Sequence, residues 1–234
     1  MDIDLNADLG EGCGQDAELM PLLTSANIAC GRHAGDRMTM LESIRLALMH
    51  GVQIGAHPGY ADRQNFGRIE QDLSPTEIEQ LCMEQCQELI ALAATAGARV
   101  AYVKPHGALY NQACRDVRLA EPIAQIARRL GLALVGLPQS ALASAARRAQ
   151  VRFVPEGFAD RRYRPDGSLV PRSEPDAFVL DPEEAADQAR ALVASGRIET
   201  LCVHGDNPAA LQFLRRLREG LAAAGVAFRP FSAP

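Results

Sequence analysis

A chain of 234 residues, 47% hydrophobic and 23% charged, has the profile of a soluble globular domain. A net charge of -5 argues against nucleic acid or an anionic membrane surface as partner, and no apolar run approaches the roughly 18 residues of a membrane helix. The chain opens directly on Asp2-Ile3-Asp4-Leu5-Asn6 without a basic or apolar leader, so a cytoplasmic location is expected.

Short apolar runs at 3–6, 26–29, 52–56, 100–104, 133–136, 151–154 and 201–204 read as strands buried on both faces, and 226–231 can serve as an eighth. Helical stretches separate them. Residues 38–50 place Leu41, Ile44 and Leu48 on one face, and Gly51 stops them. Ser74-Pro75-Thr76-Glu77 is a capping box with proline at the first helical position, for a helix ending at Gly97. Asp181-Pro182-Glu183-Glu184 repeats the device up to Gly196, and Asn207-Pro208 opens a last helix that ends at Gly225. Repeated strand–helix alternation implies a parallel sheet with right-handed crossovers, either a barrel or an open doubly wound sheet. No internal repeat or linker interrupts it, so residues 1–234 read as one domain. Residues 156–177 break the pattern, carrying Arg161, Arg162, Arg164 and Arg172 among prolines and glycines. A long segment of this kind is expected to form a lid-like loop.

Four of the five histidines, His33, His57, His106 and His204, follow candidate strands and have glycine within two residues downstream. In a parallel α/β fold those strand ends share one face, so the four are expected to converge. His50 falls at a helix end instead. Carboxylates follow strands as well: Asp4, Asp8 and Glu11 around the first, then Asp36, Asp62, Asp160 and Asp206. Asp36 suits a helix cap. Asp8 and Glu11 lie in a glycine-rich loop without a strong helix start behind it. Such a cluster can hold a metal or work as acid and base. Spaced zinc motifs, a Walker A loop and a GxSxG elbow are all missing. Cys82 and Cys86 share a helix face, and the six cysteines, with no CxxC pair, are expected to be reduced and mostly buried. Lys104 is the sole lysine beside 23 arginines. Lysine, unlike arginine, can lose its proton when buried, which marks the position for a special role.

Six collinear strings carry a resemblance. They are Ile3-Asp4-Leu5-Asn6-Ala7-Asp8-Leu9-Gly10-Glu11-Gly12, the stretch from Ser25 through Asn27 and Cys30-Gly31 to Asp36, and Ile54-Gly55-Ala56-His57-Pro58-Gly59-Tyr60 with Phe66-Gly67-Arg68. Val103-Lys104-Pro105-His106-Gly107 continuing to Asn111, then Phe158-Ala159-Asp160-Arg161, and Cys202-Val203-His204-Gly205-Asp206 complete them. Together they resemble the LamB/YcsF family. Departures are Arg32 where the family usually has Phe, Arg37 where it has Pro, no aromatic near 13–15, and a shorter 196–200 segment.

The resemblance implies an irregular seven-stranded (β/α) barrel similar to the polysaccharide-deacetylase and glycoside hydrolase superfamily. It implies ATP-dependent hydrolysis of the lactam of 5-oxoproline to L-glutamate, together with 5-oxoprolinase subunits B and C. ATP would be bound largely by those partners, which fits the missing P-loop. Asp8, His57, Lys104 and His106 are then expected to be catalytic, with the general base among Asp8, His57 and His106. Asn6, Glu11, Asn27, His33, Asp160, Arg161, His204 and Asp206 are expected to bind substrate, Lys104 and Arg161 holding its charge. A divalent metal, if used, has Asp8, His33 and His57 as candidate ligands. A stand-alone metal-dependent deacetylase or other C–N hydrolase is the competing assignment.

Overall fold

The structure, a computed structural model, describes residues 1–203 and 210–233. Seven parallel strands close into a barrel: β1 (Asp2–Leu9), β2 (Ser25–Ala29), β3 (Gln53–His57), β4 (Val100–Val103), β5 (Ala133–Gly136), β6 (Phe153–Phe158) and β7 (Thr200–Val203). Closure is made by β1, which pairs β2 through Asn6–Leu9 and β7 through Asp4–Ala7. A two-residue β8 (Ala227–Phe228) adds to the start of β1. Helices α1 (Asp16–Leu19), α2 (Arg37–His50), α3 (Pro75–Thr95), α4 (Gly107–Arg115), α5 (Val117–Leu130), α6 (Ala141–Ala149), α7 (Pro182–Ala194) and α8 (Ala210–Ala223) form the crossovers. None of the described helices is long and apolar enough to cross a membrane.

The helix signals act as caps. Asp36 accepts hydrogen bonds from the Met38 and Thr39 amides at the start of α2, and Gly51 ends that helix at φ 66°. Ser74 and Glu77 cap α3 reciprocally. The Asn207-Pro208 signal lies outside the described residues. Cys82 and Cys86 are both buried on α3, and all six cysteines are free thiols.

Two expectations are corrected. The pattern break begins later than residue 156: Glu156 and Phe158 belong to β6, and the excursion proper runs over 159–181. It also has structure of its own, with antiparallel bridges joining Arg161 to Phe178 and Tyr163 to Leu169. The second correction concerns β1, which is longer than the apolar run suggests and alternates strictly. Ile3, Leu5, Ala7 and Leu9 enter the main apolar core, whereas Asp4, Asn6 and Asp8 bond across the barrel interior. Period-two alternation puts these two sets on opposite faces of the strand. The face that β1 turns to the barrel interior is therefore polar.

Candidate functional site at the barrel mouth

Hydrogen bonds climb the barrel axis in one continuous column. Near the amino ends, Asp4 accepts from the hydroxyls of Thr24 and Ser25, each at 2.6 Å, and from Thr200. Thr200 also accepts from Asn6 Nδ2 at 2.6 Å. Asn6 Oδ1 in turn accepts from Asn27 Nδ2 at 2.7 Å, and the same Nδ2 donates to Asp8 Oδ1 at 2.7 Å. Tyr102 fixes the amide of Asn27 by donating to its Oδ1 at 2.7 Å. Asp4 thus lies at the opposite end from the carboxylates it was grouped with. Burial pushes its carboxyl up to about 6.

Lys104, immediately after β4, sits at the top of the column and is 2% exposed. Its Nζ lies 3.0 Å from Asp8 Oδ1 and 2.8 Å from Glu156 Oε1, and donates to Asn6 Oδ1 at 3.3 Å and Cys202 Sγ at 3.1 Å. Burial alone would lower its pKa, yet the surrounding Asp8, Cys202 and Glu156 raise it well above the ordinary lysine value. The surroundings thus favour the charged ammonium, not the proton-labile amine that burial alone would produce. Two carboxylates already balance it, so it does not stand ready to take up an anionic group alone.

Above the lysine, Glu11, His33, His57 and His106 offer ligand atoms that all lie within 4.8 Å of one another. The loop packing depends on glycine. A Cβ on Gly59 would come within 2.7 Å of His33 Nδ1, and one on Gly67, at φ 63°, within 2.8 Å of His33 Cβ. His33 stacks on His106 with ring centroids 3.8 Å apart and planes 5° from parallel, and His57 meets both edge-on.

Backbone carbonyls set the tautomers. His57 Nδ1 lies 2.8 Å from Lys104 O, and His106 Nε2 lies 2.8 Å from Phe66 O. A carbonyl only accepts, so both of those nitrogens carry the proton. The remaining nitrogens, His57 Nε2 and His106 Nδ1, then face each other as bare lone pairs 3.0 Å apart. Carboxylate oxygens crowd the same spot, Asp8 Oδ2 at 3.4 Å from His57 Nε2 and Glu11 Oε1 at 3.3 Å from His106 Nδ1. A proton on His106 is disfavoured: burial and the neighbouring imidazoles push the residue well below the ordinary histidine value, and burial pushes His33 down to about 3. Neither ring nitrogen of buried His33 has a hydrogen bond, Nε2 lying 3.4 Å from Glu11 Oε1.

These features fit a metal ion. Three of the separations between donor atoms, 3.0 to 3.4 Å, are near the edge of a tetrahedron with bonds of about 2.0–2.1 Å, the full set lying within 4.8 Å, and three imidazoles with a carboxylate suit a borderline ion such as zinc. The buried His/Glu group could thus hold a metal. Its membership differs from the expected Asp8, His33 and His57: Glu11 and His106 join, and Asp8 stands beside it.

Asp160 and Arg161 are both buried, at 2% exposure. Arg161 donates to Val170 O at 2.5 Å and Ala177 O at 3.2 Å, and its guanidinium lies over Phe178. Burial and Arg172 lower its pKa to about 10. His204 and Asp206 lie outside the described residues. His50 is an exposed residue at the end of α2. Arg32, next to His33 in sequence, turns outward to Glu84 at 3.5 Å, with half its side chain exposed.

Sequence reasoning missed Glu156, Cys202 and Phe66 as site components. Glu156 lies on the same face of β6 as Val154 and Phe158, so the polar–apolar alternation that marks β1 is absent there. Phe66 holds φ at 57°, a left-handed conformation unusual for a residue with a side chain, and its carbonyl fixes the tautomer of His106. No local pattern announces that role.

A closed barrel of seven parallel strands is a fold shared with the carbohydrate deacetylases. The family 4 carbohydrate esterase from Streptomyces lividans, solved with acetate, superposes with a TM-score of 0.56 over 98% of this chain and 92% of its own, at 13% identity. The chain belongs to the LamB/YcsF family, whose model matches residues 3–234. The lactam utilization protein from Thermus thermophilus matches with a TM-score of 0.92 and 44% identity, covering 99% of this chain and 100% of its own. The 5-oxoprolinase A-type subunit of Methylococcus capsulatus is 49% identical over 96% of this chain and 94% of its own length.

Proposed function

We propose that this chain is the A-type subunit of a cytoplasmic ATP-dependent 5-oxoprolinase, working with B and C subunits to open the lactam of 5-oxoproline to L-glutamate. The observation that carries this assignment is the end-to-end similarity, at 49% identity, to a protein of that name. The chemistry of the mouth supports it. A five-membered lactam is an unstrained amide, so the partner subunits use ATP to phosphorylate its oxygen and make the ring carbon electrophilic. Water adds to that carbon, the C–N bond breaks and the nitrogen takes a proton. A second water releases the phosphate.

In this scheme the Asp8 carboxylate is the general base. Its Oδ1 is anchored by Asn27 and Lys104, leaving Oδ2 turned toward the histidine cluster. Lys104 and Glu156 hold that carboxylate in place. Arg161 faces the anionic end of the substrate. Glu11, His33, His57 and His106 are the residues that would hold a divalent metal, which when bound supplies a Lewis acid that makes water more acidic.

Reconstitution with the two partner subunits tests the assignment. The three-component mixture should form glutamate and ADP from 5-oxoproline and ATP, and this chain alone should do neither. Asp8→Asn should lower kcat by about 10²- to 10⁴-fold. Metal analysis should find zinc or a similar ion on the wild type and not on His33→Leu. Hydrolysis of acetylated sugars by the isolated chain would favour the deacetylase assignment instead.

A further inference from the structure

Two cavities meet at one wall. The inner one, about 30 Å³, is bordered by Asp8, His57, Lys104 and His106. It has room for one or two waters and none for a lactam ring bearing a carboxylate. The outer one, about 360 Å³, opens between the end of α4, the loop before α6 and the inner face of the excursion. That volume lies in the range of small-ligand clefts. Asn111, Arg161 and Leu169 border both cavities, so they are the wall between them.

The wall is of two kinds. Arg161 is fixed at the base of the excursion by its bonds to Val170 O and Ala177 O. Leu169 belongs to the hairpin above, paired with Tyr163, whose tip at residues 164–167 is exposed. Charge in the outer cavity favours an anion at the wall. Glu70 is engaged by Arg115 at 2.5 Å, and Asp166 accepts from the Ser168 hydroxyl at 2.6 Å. Arg164 is held by Glu174 at 2.6 Å. The hydrogen bonds given for Arg161 among the described residues go to carbonyls, and the neighbouring Asp160 only favours its charge while burial and Arg172 oppose it.

We propose that the outer cavity is the docking site for a small cyclic amide bearing a carboxylate, and that Leu169 is the gate it passes to reach the inner cavity. This rests on the assignment as a lactam hydrolase. Arg161 takes the carboxylate first, and lifting the Tyr163–Leu169 hairpin joins the two volumes without moving Arg161. The ring then reaches Asp8 with its anionic end still on the same guanidinium.

The chain contains no tryptophan, so Pro171→Trp, at an exposed residue bordering the outer cavity, gives a single reporter. Titrating this full-length variant with 5-oxoproline should produce a saturable fluorescence change, and 2-pyrrolidinone, the same ring without a carboxylate, should not. Adding Arg161→Gln should weaken the response about tenfold or more. Amide NMR shifts of Leu137 and Ser140 in the wild-type chain give the same readout without substitution. In the reconstituted complex, Leu169→Trp should lower kcat/KM about tenfold or more while the NMR shifts persist, and Leu169→Ala should not lower it. A wild-type complex that makes glutamate, with no response at the outer cavity and full turnover by Leu169→Trp, overturns the proposal and leaves the assignment standing. A complex that makes no glutamate overturns both.

Discussion

The two ends of the barrel interior hold buried carboxylates in opposite ways. At the base, Asp4 is surrounded by donors: the hydroxyls of Thr24, Ser25 and Thr200 take its oxygens, and Thr200 passes the order on to Asn6. At the mouth, acceptors are in excess. Asp8 and Glu156 meet the Lys104 ammonium, while Glu11 and the facing nitrogens of His57 and His106 gather beside them. A carboxylate saturated by hydroxyls has no chemistry left to do and serves to order its neighbours. Lone pairs held together by carbonyl-pinned tautomers and a left-handed Phe66 backbone form a group that could hold a metal ion. Burial alone therefore does not separate structural from functional polar groups. The balance of donors and acceptors does.

Lys104 gives the comparison its hardest test. Lys104→Met leaves Asp8 and Glu156 facing each other in a buried site, and removing one partner of a buried ionic network costs about 3–5 kcal/mol. Denaturant midpoints should show that loss. Adding Glu156→Gln should recover much of the stability and none of the activity, because Asp8 still lacks its anchor. Lys104→Arg keeps the charge but forces a planar fork into a space shared by Asn6, Asp8, Glu156 and Cys202, so turnover should fall about 10²-fold or more. A Lys104→Arg complex with wild-type turnover would show that the mouth needs only a positive charge.

Asp4 probes the base. Its folded pKa of about 6 stands above its ordinary value of 3.8, so the folded state holds the proton more tightly than the unfolded one. The resulting stability is present below about pH 3.8 and is lost as pH rises through about 6. In Asp4→Asn that titration is gone. The stability of the wild type relative to the variant should therefore decline by about 2–3 kcal/mol between pH 4 and 7, read from urea unfolding at each pH. Turnover of the variant at pH 8 should stay close to wild type. A large loss of activity there would merge the two ends into one functional network.

Much of this is legible in the residues themselves. The strand–helix alternation, the caps at Asp36 and Ser74, and the placing of His33, His57 and His106 after strands follow from local rules about turns and parallel sheets. The polar face of β1 is also readable, as Asp-x-Asn-x-Asp, but is masked by treating parallel strands as uniformly apolar. Other features depend on distances between remote segments. The charge state of Lys104 is set by Asp8, Cys202 and Glu156, which lie 96, 98 and 52 positions away along the chain. Composition raises the right residue for the wrong reason. The histidine tautomers depend on where two carbonyls point, which no residue pattern encodes.

Arg32 sharpens the comparison by lying outside both networks although it adjoins His33 in sequence. It stands where the family resemblance leads one to expect phenylalanine, and a charge beside a candidate site histidine would suggest altered substrate preference. The geometry says otherwise. After β2 the chain turns so that His33 enters the cluster with no exposed surface, while Arg32 points away along α3 to Glu84. Both side chains of that pair are about half exposed, and ion pairs of this kind contribute about 0–1 kcal/mol. The aromatic contact on His33 comes instead from Phe66, with ring centroids 6.0 Å apart. Arg32→Phe should therefore change stability by no more than about 0.5 kcal/mol and leave kcat and KM within about twofold of wild type. Melting curves and steady-state kinetics of the reconstituted complex measure both. A shift in KM for 5-oxoproline of about tenfold would mean that the loop turns Arg32 inward when substrate or another component of the complex binds, and that the mouth extends one residue further than its donors and acceptors define.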